Sequence, residues 1–273
     1  MAIFYMNGEY KSEDDAVVSV KDLAVLRGYG VFDFLRTYNK KPFYLNEHIK
    51  RFKRSAELTL LNCPWSDDEI RSVVNETLKK NDFPESNVRL LITGGESIDS
   101  ITPGDDTKLI VLVTELGPQP PDWYIDGVKI ITSKTERYLP EAKSTTYLNA
   151  IIVLRNAMER NAIESIYVDR KNNILEGTTS NIFVVKDKKI ITPDKNILPG
   201  ITREVILDNL AGFDVEIRDI KYDELLNIDE AFITSSNKEV VPVVEIDDII
   251  VSDKPGPVSC KVMKIFKGIT DKY

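Results

Sequence analysis

The sequence contains a single histidine, His48, among 273 residues. A zinc site built on several histidines is therefore excluded, and the two cysteines, Cys63 and Cys260, stand in unrelated contexts that offer no metal-binding motif. A Ser-His-Asp triad would have to use His48, and no nucleophile elbow accompanies it. If the protein is an enzyme, its chemistry must rely on lysine, carboxylate, tyrosine or a cofactor.

Long apolar runs and an excess of basic residues are also missing. The longest apolar stretches, such as 109–113, have the length of a strand and are far too short to cross a bilayer. The N-terminus lacks the basic region and apolar core of a signal peptide. The net charge of −8 and the pI of about 5.0 argue against nucleic acid as the main partner. We expect a protein of the reducing cytoplasm, without a membrane or nucleic-acid partner.

The pattern of apolar residues predicts two α/β domains, namely a small domain over 1–116, a proline-rich linker over 117–122 and a large domain over 123–273. In the first, we predict strands over 2–6, 15–20, 34–38, 42–44, 87–93 and 108–115, with a hairpin at Asn39-Lys-Lys41. One helix is predicted after an N-cap at Asn46, with Ile49, Phe52, Ala56 and Leu60 on its apolar stripe. Ser66-Asp-Asp-Glu69 is a capping box that opens a second helix.

The large domain combines further strands and helices. Strands are predicted over 128–132, 165–169, 181–185 and 189–192, with a hairpin turn at Asp247-Asp248. Helices are predicted over 147–160, over 202–211 and at the C-terminus. In the first of these helices, periodicity predicts a buried face made by Leu148, Ile151, Ile152, Leu154 and Met158.

Three short segments offer complementary chemistry. Lys143 supplies an amine that can bond an aldehyde. Glu176 supplies a carboxylate that can hold a pyridine nitrogen protonated. The turn Leu198-Pro-Gly-Ile-Thr202, at a predicted helix start, supplies N–H groups that can hold a phosphate. Together these groups suit pyridoxal 5′-phosphate (PLP), although a lone lysine of this kind is also compatible with an ordinary surface residue.

The order and spacing of these segments resemble the class IV (fold-type IV) aminotransferases, the family of branched-chain aminotransferase, D-amino-acid aminotransferase and aminodeoxychorismate lyase. The resemblance extends nearly end to end, and its most specific local match is Glu176-Gly-Thr-Thr-Ser-Asn181-Ile-Phe. It implies a two-domain α/β (α+β) fold with PLP in the interdomain cleft. It also implies a homodimer in which the Arg27 loop of one subunit reaches over the pocket of its neighbour.

The resemblance also implies individual roles. Lys143 would be the catalytic lysine that bonds PLP, Glu176 would hold the pyridine nitrogen, Tyr147 would contact the phenolic oxygen and Leu198 would pack on the ring. The phosphate would lie against Arg51, Ile201, Thr202, Ser236 and Asn237. For Arg51 a surface position on an amphipathic helix is the alternative, and for Tyr147 a position in the core. His48, which shares the helix face of Arg51, is expected to be structural support.

The substrate side of the site departs from the family pattern. Phe32, in Arg27-Gly-Tyr-Gly-Val-Phe32-Asp33, falls on an aromatic position that lines the pocket. The arginine and histidine that hold the substrate carboxylate in D-amino-acid aminotransferases are missing from 93–103. The Tyr-x-Arg-Pro feature of many branched-chain enzymes is missing too.

Two other arginines, Arg27 and Arg89, would supply a replacement for the missing carboxylate site, as in a less typical subgroup of D-amino-acid transaminases. The alternative is that both are structural and pair with Asp33 or Glu96. The resemblance thus implies a transaminase that moves an amino group from D-glutamate or D-alanine to 2-oxoglutarate. A branched-chain L-amino-acid aminotransferase, an aminodeoxychorismate lyase and a non-catalytic PLP-binding protein remain the alternatives.

Overall fold

The computed structural model describes residues 1–273 as two compact units. Unit 1 comprises Met1–Gly117, Ala142–Tyr147 and Tyr273, and unit 2 comprises Pro118–Glu141 and Leu148–Lys272. The segment Ala142–Tyr147 was predicted within the large domain, and it packs instead with unit 1. The reason is backbone pairing, because the N–H of Phe32 donates to the carbonyl of Lys143 at 2.8 Å and that of Thr145 donates to Gly30 at 2.9 Å.

Unit 1 is built on one antiparallel sheet with the strand order β2-β1-β6-β5-β3-β4. Its strands are β1 (Ile3–Met6), β2 (Glu9–Ser12), β3 (Gly30–Tyr38), β4 (Lys41–Pro42), β5 (Ser86–Thr93) and β6 (Lys108–Glu115). Its helices are α1 (Leu23–Arg27), α2 (Leu45–Leu58) and α3 (Asp67–Lys79). The core joins the inward residues of the sheet to α2 and α3, through side chains that include Ile49, Phe52, Ala56, Ile70 and Val74.

Two local predictions in unit 1 are confirmed, one for a helix cap and one for a hairpin turn. The capping box of Ser66 and Glu69 is formed at the start of α3. The hairpin between β3 and β4 turns at Asn39 and Lys40, which both have positive φ.

Four predictions in unit 1 were wrong. The strand predicted over 42–44 is instead β4 at Lys41–Pro42, because Tyr44 has a positive φ and is the N-cap of α2. Residues 15–20 form no strand, and both Val17 and Val20 are 76% exposed there, so no face of the segment is buried. Asn46 lies inside α2, because the helix begins one residue earlier, at Leu45. Leu60 is 89% exposed, because α2 ends at Leu58 before its stripe reaches that position.

Unit 2 is built on a mixed ten-stranded sheet with the order β12-β11-β10-β14-β15-β7-β8-β9-β13, and β16 pairs with β15. Its strands are β7 (Val128–Lys134), β8 (Ser165–Val168), β9 (Asn173–Gly177), β10 (Asn181–Lys186), β11 (Lys189–Thr192), β12 (Asp214–Ile217), β13 (Ile220–Lys221), β14 (Glu230–Ser235), β15 (Glu239–Ile246) and β16 (Ile249–Ile250). Its helices are α4 (Asp122–Ile125), α5 (Leu148–Glu159), α6 (Ile201–Leu207) and α7 (Pro257–Thr270). The predicted turn at Asp247-Asp248 is confirmed between β15 and β16.

The buried face of α5 was predicted wrongly. Four of its large apolar residues are half or more exposed, namely Leu148 (68%), Ile151 (55%), Ile152 (50%) and Met158 (66%). The helix instead buries Ala150 and Ala157, and Ala157 packs with Ile131 of β7 while Leu154 is partly buried against the same cluster. Small side chains allow α5 to lie close to the sheet, and its larger apolar residues are left on the outside.

No helix combines the length and the apolar character needed to span a membrane. No group of three or more histidine, cysteine, aspartate or glutamate side chains is placed to hold a metal ion. The cytoplasmic location and the lack of a nucleic-acid partner stay predictions.

Candidate active site

Lys143 is held beside β3 by its backbone. The carbonyl of Lys143 accepts the N–H of Phe32, and its own N–H donates to the hydroxyl of Ser55 on α2 at 3.0 Å. That hydroxyl in turn donates to the carbonyl of Arg51 at 2.9 Å. The backbone of Lys143 is therefore fixed to both the sheet and a helix of unit 1, which leaves the side chain as the part that can move.

Phe32 brings several predicted site residues together. The amine of Lys143 lies 4.7 Å from the centroid of the Phe32 ring, and the Tyr147 ring meets Phe32 edge-on at 5.4 Å. The Cζ atom of Arg89 lies 5.7 Å from the same ring and 5.8 Å from the ring of Phe34. An aromatic face attracts cations at such distances. The lysine, the tyrosine and one of the two candidate arginines thus share one aromatic neighbour.

The two candidate substrate arginines differ in their surroundings. Arg89 lies on β5 opposite Phe34 of β3, and it is exposed. Its guanidinium makes neither a hydrogen bond nor an ion pair. Arg27 is exposed at the end of α1 and donates only to the carbonyl of Leu26, at 2.8 Å. No contact joins Arg27 to Arg89 within the chain. Neither pairs with Asp33 or Glu96, so the structural alternative for these arginines does not hold in this form.

Arg51 is buried in a cluster with Asp33 and His48. Its Nε and Nη2 atoms donate to the two carboxylate oxygens of Asp33, at 2.9 and 2.8 Å, and only 8% of Arg51 is exposed. The forked geometry fixes the plane of the guanidinium. Arg51 is therefore not an ordinary surface arginine, which was the alternative in sequence. Whether it holds a phosphate stays a prediction.

Burial and neighbouring charges together set the protonation of Asp33 and His48. Burial alone would raise the pKa of the Asp33 carboxyl, but Arg51 and His48 outweigh it and hold that pKa well below its usual range. Burial lowers the pKa of His48, and nearby Arg51 and Lys143 lower it further, while Asp33 opposes the shift without reversing it. Neutral His48 then donates from Nδ1 to Asp33 at 2.6 Å. This contact supports the prediction that His48 is structural support.

In unit 2, Glu176 lies at the end of β9 and is only 4% exposed. Its Oε1 atom accepts from Nη1 of Arg137 at 3.0 Å, and its Oε2 atom accepts from the N–H of Leu198 at 2.9 Å. Arg137 was missed in sequence, since nothing in its local pattern marks it. The contact places a positive charge beside the carboxylate and ties Glu176 to the turn that carries Leu198.

That turn ends at the start of α6. The amide of Asn181 donates to the carbonyl of Leu198 at 3.0 Å. Gly200 is required here, because an added Cβ would lie 1.9 Å from Oδ1 of Asn181. Gly200 is also the N-cap, and it offers no side chain to the helix. The N–H groups of Ile201 and Thr202 consequently donate to no group of the protein, as is usual at a helix start.

A second turn follows β14. Oδ1 of Asn237 accepts from Nε2 of Gln119 at 3.3 Å, and the hydroxyl of Tyr124 donates to the carbonyl of Lys238 at 3.0 Å. These two contacts hold the turn to the N-terminal segment of unit 2. The hydroxyl of Ser236 makes no hydrogen bond within the protein. The hydroxyl of Thr234 is buried and also has no partner. A buried hydroxyl without a partner is rare in native proteins, and a ligand with acceptor oxygens would satisfy it.

These residues suit the chemistry of PLP. The chain contains the amine of Lys143, a buried carboxylate at Glu176, N–H groups at Ile201 and Thr202 that donate to no group of the protein, and the hydroxyls of Ser236 and Thr234. An aldehyde, a pyridinium nitrogen and a phosphate each find a matching partner among them.

Comparisons with known proteins agree with this chemistry. The family model described as "Amino-transferase class IV" matches residues 30–246. The putative branched-chain-amino-acid aminotransferase of Methanocaldococcus jannaschii is 35% identical over 98% of this chain and 96% of its own length. The D-alanine aminotransferase of Listeria monocytogenes serotype 4b is 32% identical over 96% of this chain and 93% of its own length.

Solved structures share the fold. The branched-chain amino acid aminotransferase of Escherichia coli superposes with a TM-score of 0.93 at 28% identity, over 98% of this chain and 94% of that one. Another branched-chain amino acid aminotransferase, solved with pyridoxamine 5′-phosphate, superposes with a TM-score of 0.90 at 26% identity over the same shares of both chains. The predicted fold class is thereby confirmed as that of fold-type IV. The chain belongs to the class IV aminotransferase family, and it is a PLP-dependent aminotransferase.

Proposed function

We propose that this aminotransferase takes its amino group from a D-amino acid, such as D-glutamate or D-alanine, and passes it to a 2-oxo acid such as 2-oxoglutarate. The observation that carries the proposal is Arg89. Its guanidinium is exposed, has no carboxylate partner, and lies over Phe32, whose ring also contacts the amine of Lys143. A guanidinium that shares an aromatic neighbour with the reactive lysine suits a substrate carboxylate, which it would bind by a forked, charge-assisted pair.

The second arginine fits the same task from a different position. Arg27 is exposed and has no acidic partner, and it makes no contact with Arg89 in its own chain. We expect the protein to be a homodimer in which Arg27 of one subunit reaches over the pocket of the other. Two guanidinium groups from two subunits would then hold one carboxylate.

A surface that suits a second subunit is present on unit 2. The large apolar side chains on the outer face of α5, Leu148, Ile151, Ile152 and Met158, are all at least half exposed. Four large apolar side chains left exposed on one helix are unusual on a monomer. A second copy of the chain is the expected occupant, because dimers with two-fold symmetry bury the same patch of both subunits.

Each cofactor contact is also part of the proposal. When bound, PLP supplies an electron sink for the pair of electrons released from the substrate Cα. We assign the aldehyde to Lys143, the pyridine nitrogen to Glu176, the phenolic oxygen to Tyr147 and one ring face to Leu198. The phosphate is assigned to Arg51, Ile201, Thr202, Ser236 and Asn237.

Lys143 also moves the proton in this proposal. Once the substrate amine has taken its place on the cofactor, its Nζ atom would take the proton from the substrate Cα as a base and would deliver it, as an acid, to the cofactor carbon that had carried the aldehyde. The backbone of Lys143 is held by Phe32 and Ser55, so the amine moves through side-chain rotation alone. Two half-reactions share this one amine, and ping-pong kinetics follow.

A branched-chain L-amino-acid aminotransferase is the second candidate. Relatives with that name are as similar to this chain as those named for D-alanine, and the aromatic edge formed by Phe32 and Tyr147 suits an apolar side chain. A spectral screen of the holoenzyme against D- and L-amino acids distinguishes the candidates. Loss of the lysine-bound PLP absorbance with D-alanine and D-glutamate supports the D-assignment.

Other outcomes of the screen point elsewhere. Rapid conversion with L-leucine or L-valine and no response to D-alanine would reject the D-assignment and favour the branched-chain enzyme. Formation of an aromatic product from aminodeoxychorismate would favour a lyase. PLP absorbance that no amino acid changes would indicate a non-catalytic PLP-binding protein.

A further inference from the structure

Glu164 is a fully buried carboxylate that the sequence patterns did not indicate. It immediately precedes β8 and accepts hydrogen bonds from the turn Thr178–Ser180, which follows Glu176 along the chain. Its Oε1 atom accepts from the N–H of Thr178 at 3.0 Å and also from the hydroxyl of that residue. Its Oε2 atom accepts from the hydroxyls of Thr179 at 2.8 Å and Ser180 at 3.0 Å.

Lys238 connects this carboxylate to a second turn. Its amine lies 3.4 Å from Oε2 of Glu164 and donates to the hydroxyl of Thr179 at 2.5 Å, and only 14% of its side chain is exposed. The backbone N–H of Lys238 donates to the hydroxyl of Ser235 at 3.2 Å, which closes the turn Ser235–Lys238. One carboxylate therefore joins two turns that are more than 50 residues apart in sequence.

The pair is electrostatically matched. Burial alone would raise the pKa of the Glu164 carboxyl, but the charge of Lys238 and the hydrogen bonds from Thr178 and Thr179 hold that pKa below its usual range. Glu164 is thus an anion, and its carboxylate can accept a hydrogen bond from each of these donors. Removal of either charge would leave the other buried without its counter-ion.

We propose that Glu164, through its pair with Lys238, is a positioning residue that holds the turn Ser235–Lys238 in place for the cofactor phosphate. The residues that would touch the phosphate are Ser236 and Asn237, so the inference rests on the phosphate contacts given under the proposed function. Glu164 acts through the turn and does not touch the ligand. Its loss should weaken the binding of the phosphate and leave the binding of the pyridine ring unchanged.

A different role for Glu164 predicts the opposite change in the affinity for PLP. If Glu164 only neutralises Lys238, then Glu164→Gln sets the lysine charge free, and an anionic phosphate should bind more tightly. If Glu164 positions the turn, the same substitution removes an acceptor for Thr179 and Lys238, and the phosphate should bind more weakly. Thr179→Val tests the positioning role without any change of charge, because it removes only the hydroxyl between Lys238 and Glu164.

The experiment compares PLP with pyridoxal, which lacks the phosphate. Apoprotein of the wild type, Glu164→Gln and Thr179→Val is titrated with each compound, and Kd is measured from absorbance. We expect both variants to raise the Kd for PLP about tenfold, equivalent to ~1.4 kcal/mol, with the Kd for pyridoxal within about twofold. The control is Lys129→Met, which breaks a partly buried pair with Glu245 (2.6 Å) elsewhere in unit 2 and should change neither Kd.

Four results would overturn the inference. Tighter PLP binding by Glu164→Gln would assign Glu164 to charge neutralisation. Equal losses for PLP and pyridoxal would indicate general damage to the fold. An unchanged Kd for PLP in Thr179→Val would show that the contact between the turns is not needed, and this variant decides the matter if Glu164→Gln fails to fold. A wild type that binds PLP no better than pyridoxal would instead reject the phosphate contacts of the proposed function.

Discussion

Replacement of Arg51 is expected to have two separable effects. Asp33 is fully buried and receives two hydrogen bonds from Arg51 and one from His48. Arg51→Ala leaves this carboxylate without its cation, and the loss of one partner of a buried pair destabilises a fold by about 3–5 kcal/mol. The midpoint of urea unfolding of the apoprotein should fall accordingly.

The second effect concerns the cofactor. If Arg51 also binds the phosphate, the contact contributes roughly 1.5–3 kcal/mol, as for other hydrogen bonds to charged groups. The Kd for PLP should therefore rise at least tenfold, a change of about 1.4 kcal/mol. Titration of apoprotein with PLP, followed by absorbance at a temperature where the variant is folded, measures this change.

A double variant separates stability from binding. Arg51→Met combined with Asp33→Asn leaves no buried unpaired charge, and the asparagine still accepts from His48. Most of the lost stability should return, whereas the weak PLP binding should not. Arg54→Ala is the matched control, since Arg54 lies on the same helix with 60% of its side chain exposed and should affect neither property. PLP affinity that is unchanged in Arg51→Ala would refute the phosphate contact and leave Arg51 a purely structural partner of Asp33.

Three further predictions concern His48, the substrate arginines and the dimer. The pKa of His48 in the folded protein is lowered below its ordinary value of 6.5. As the pH falls below 6.5, the unfolded chain therefore binds more protons than the folded protein, and the stability that this histidine contributes above pH 6.5 is lost progressively. The variant His48→Asn keeps a hydrogen-bond donor for Asp33 but does not titrate. Because His48 is the only histidine, the fall in the midpoint of urea unfolding between pH 7 and pH 5 should be smaller in the variant than in the wild type. An equal fall in both proteins would exclude His48 as its source. Arg89→Ala and Arg27→Ala should each slow the half-reaction with D-alanine about tenfold or more, without a change in the absorbance of bound PLP; full activity in stopped-flow measurements would exclude the arginine in question. Ile152→Asp, on the exposed face of α5, should convert a dimer to monomers in light scattering, and a wild type that is monomeric and fully active would contradict the assembly.

Features that depend on neighbours in sequence could be predicted well. The capping box of Ser66 and Glu69, the turn at Asn39 and Lys40, and the strands over Ser86–Thr93 and Lys108–Glu115 agree with the structure. Each rests on a contact within a few residues or on strict apolar patterning, so the local pattern contains the necessary information.

Features that depend on distant residues could not be predicted. Arg137 meets Glu176 across 39 positions, and Glu164 meets Thr178 across 14, and neither contact leaves a local signal. The apolar face of α5 was placed inside because periodicity identifies an apolar stripe but not the surface that covers it. A stripe that serves a second subunit has the same pattern as one that serves the core.

The most direct test of the account is the identity of the lysine that carries PLP. Borohydride reduction of the holoenzyme, followed by digestion and peptide mapping, fixes the cofactor to the residue that bonds it. We expect a single label, on Lys143 in the segment Ala142–Tyr147, and loss of that label in Lys143→Ala. A label on another lysine, or no label on a protein that retains PLP, would contradict it.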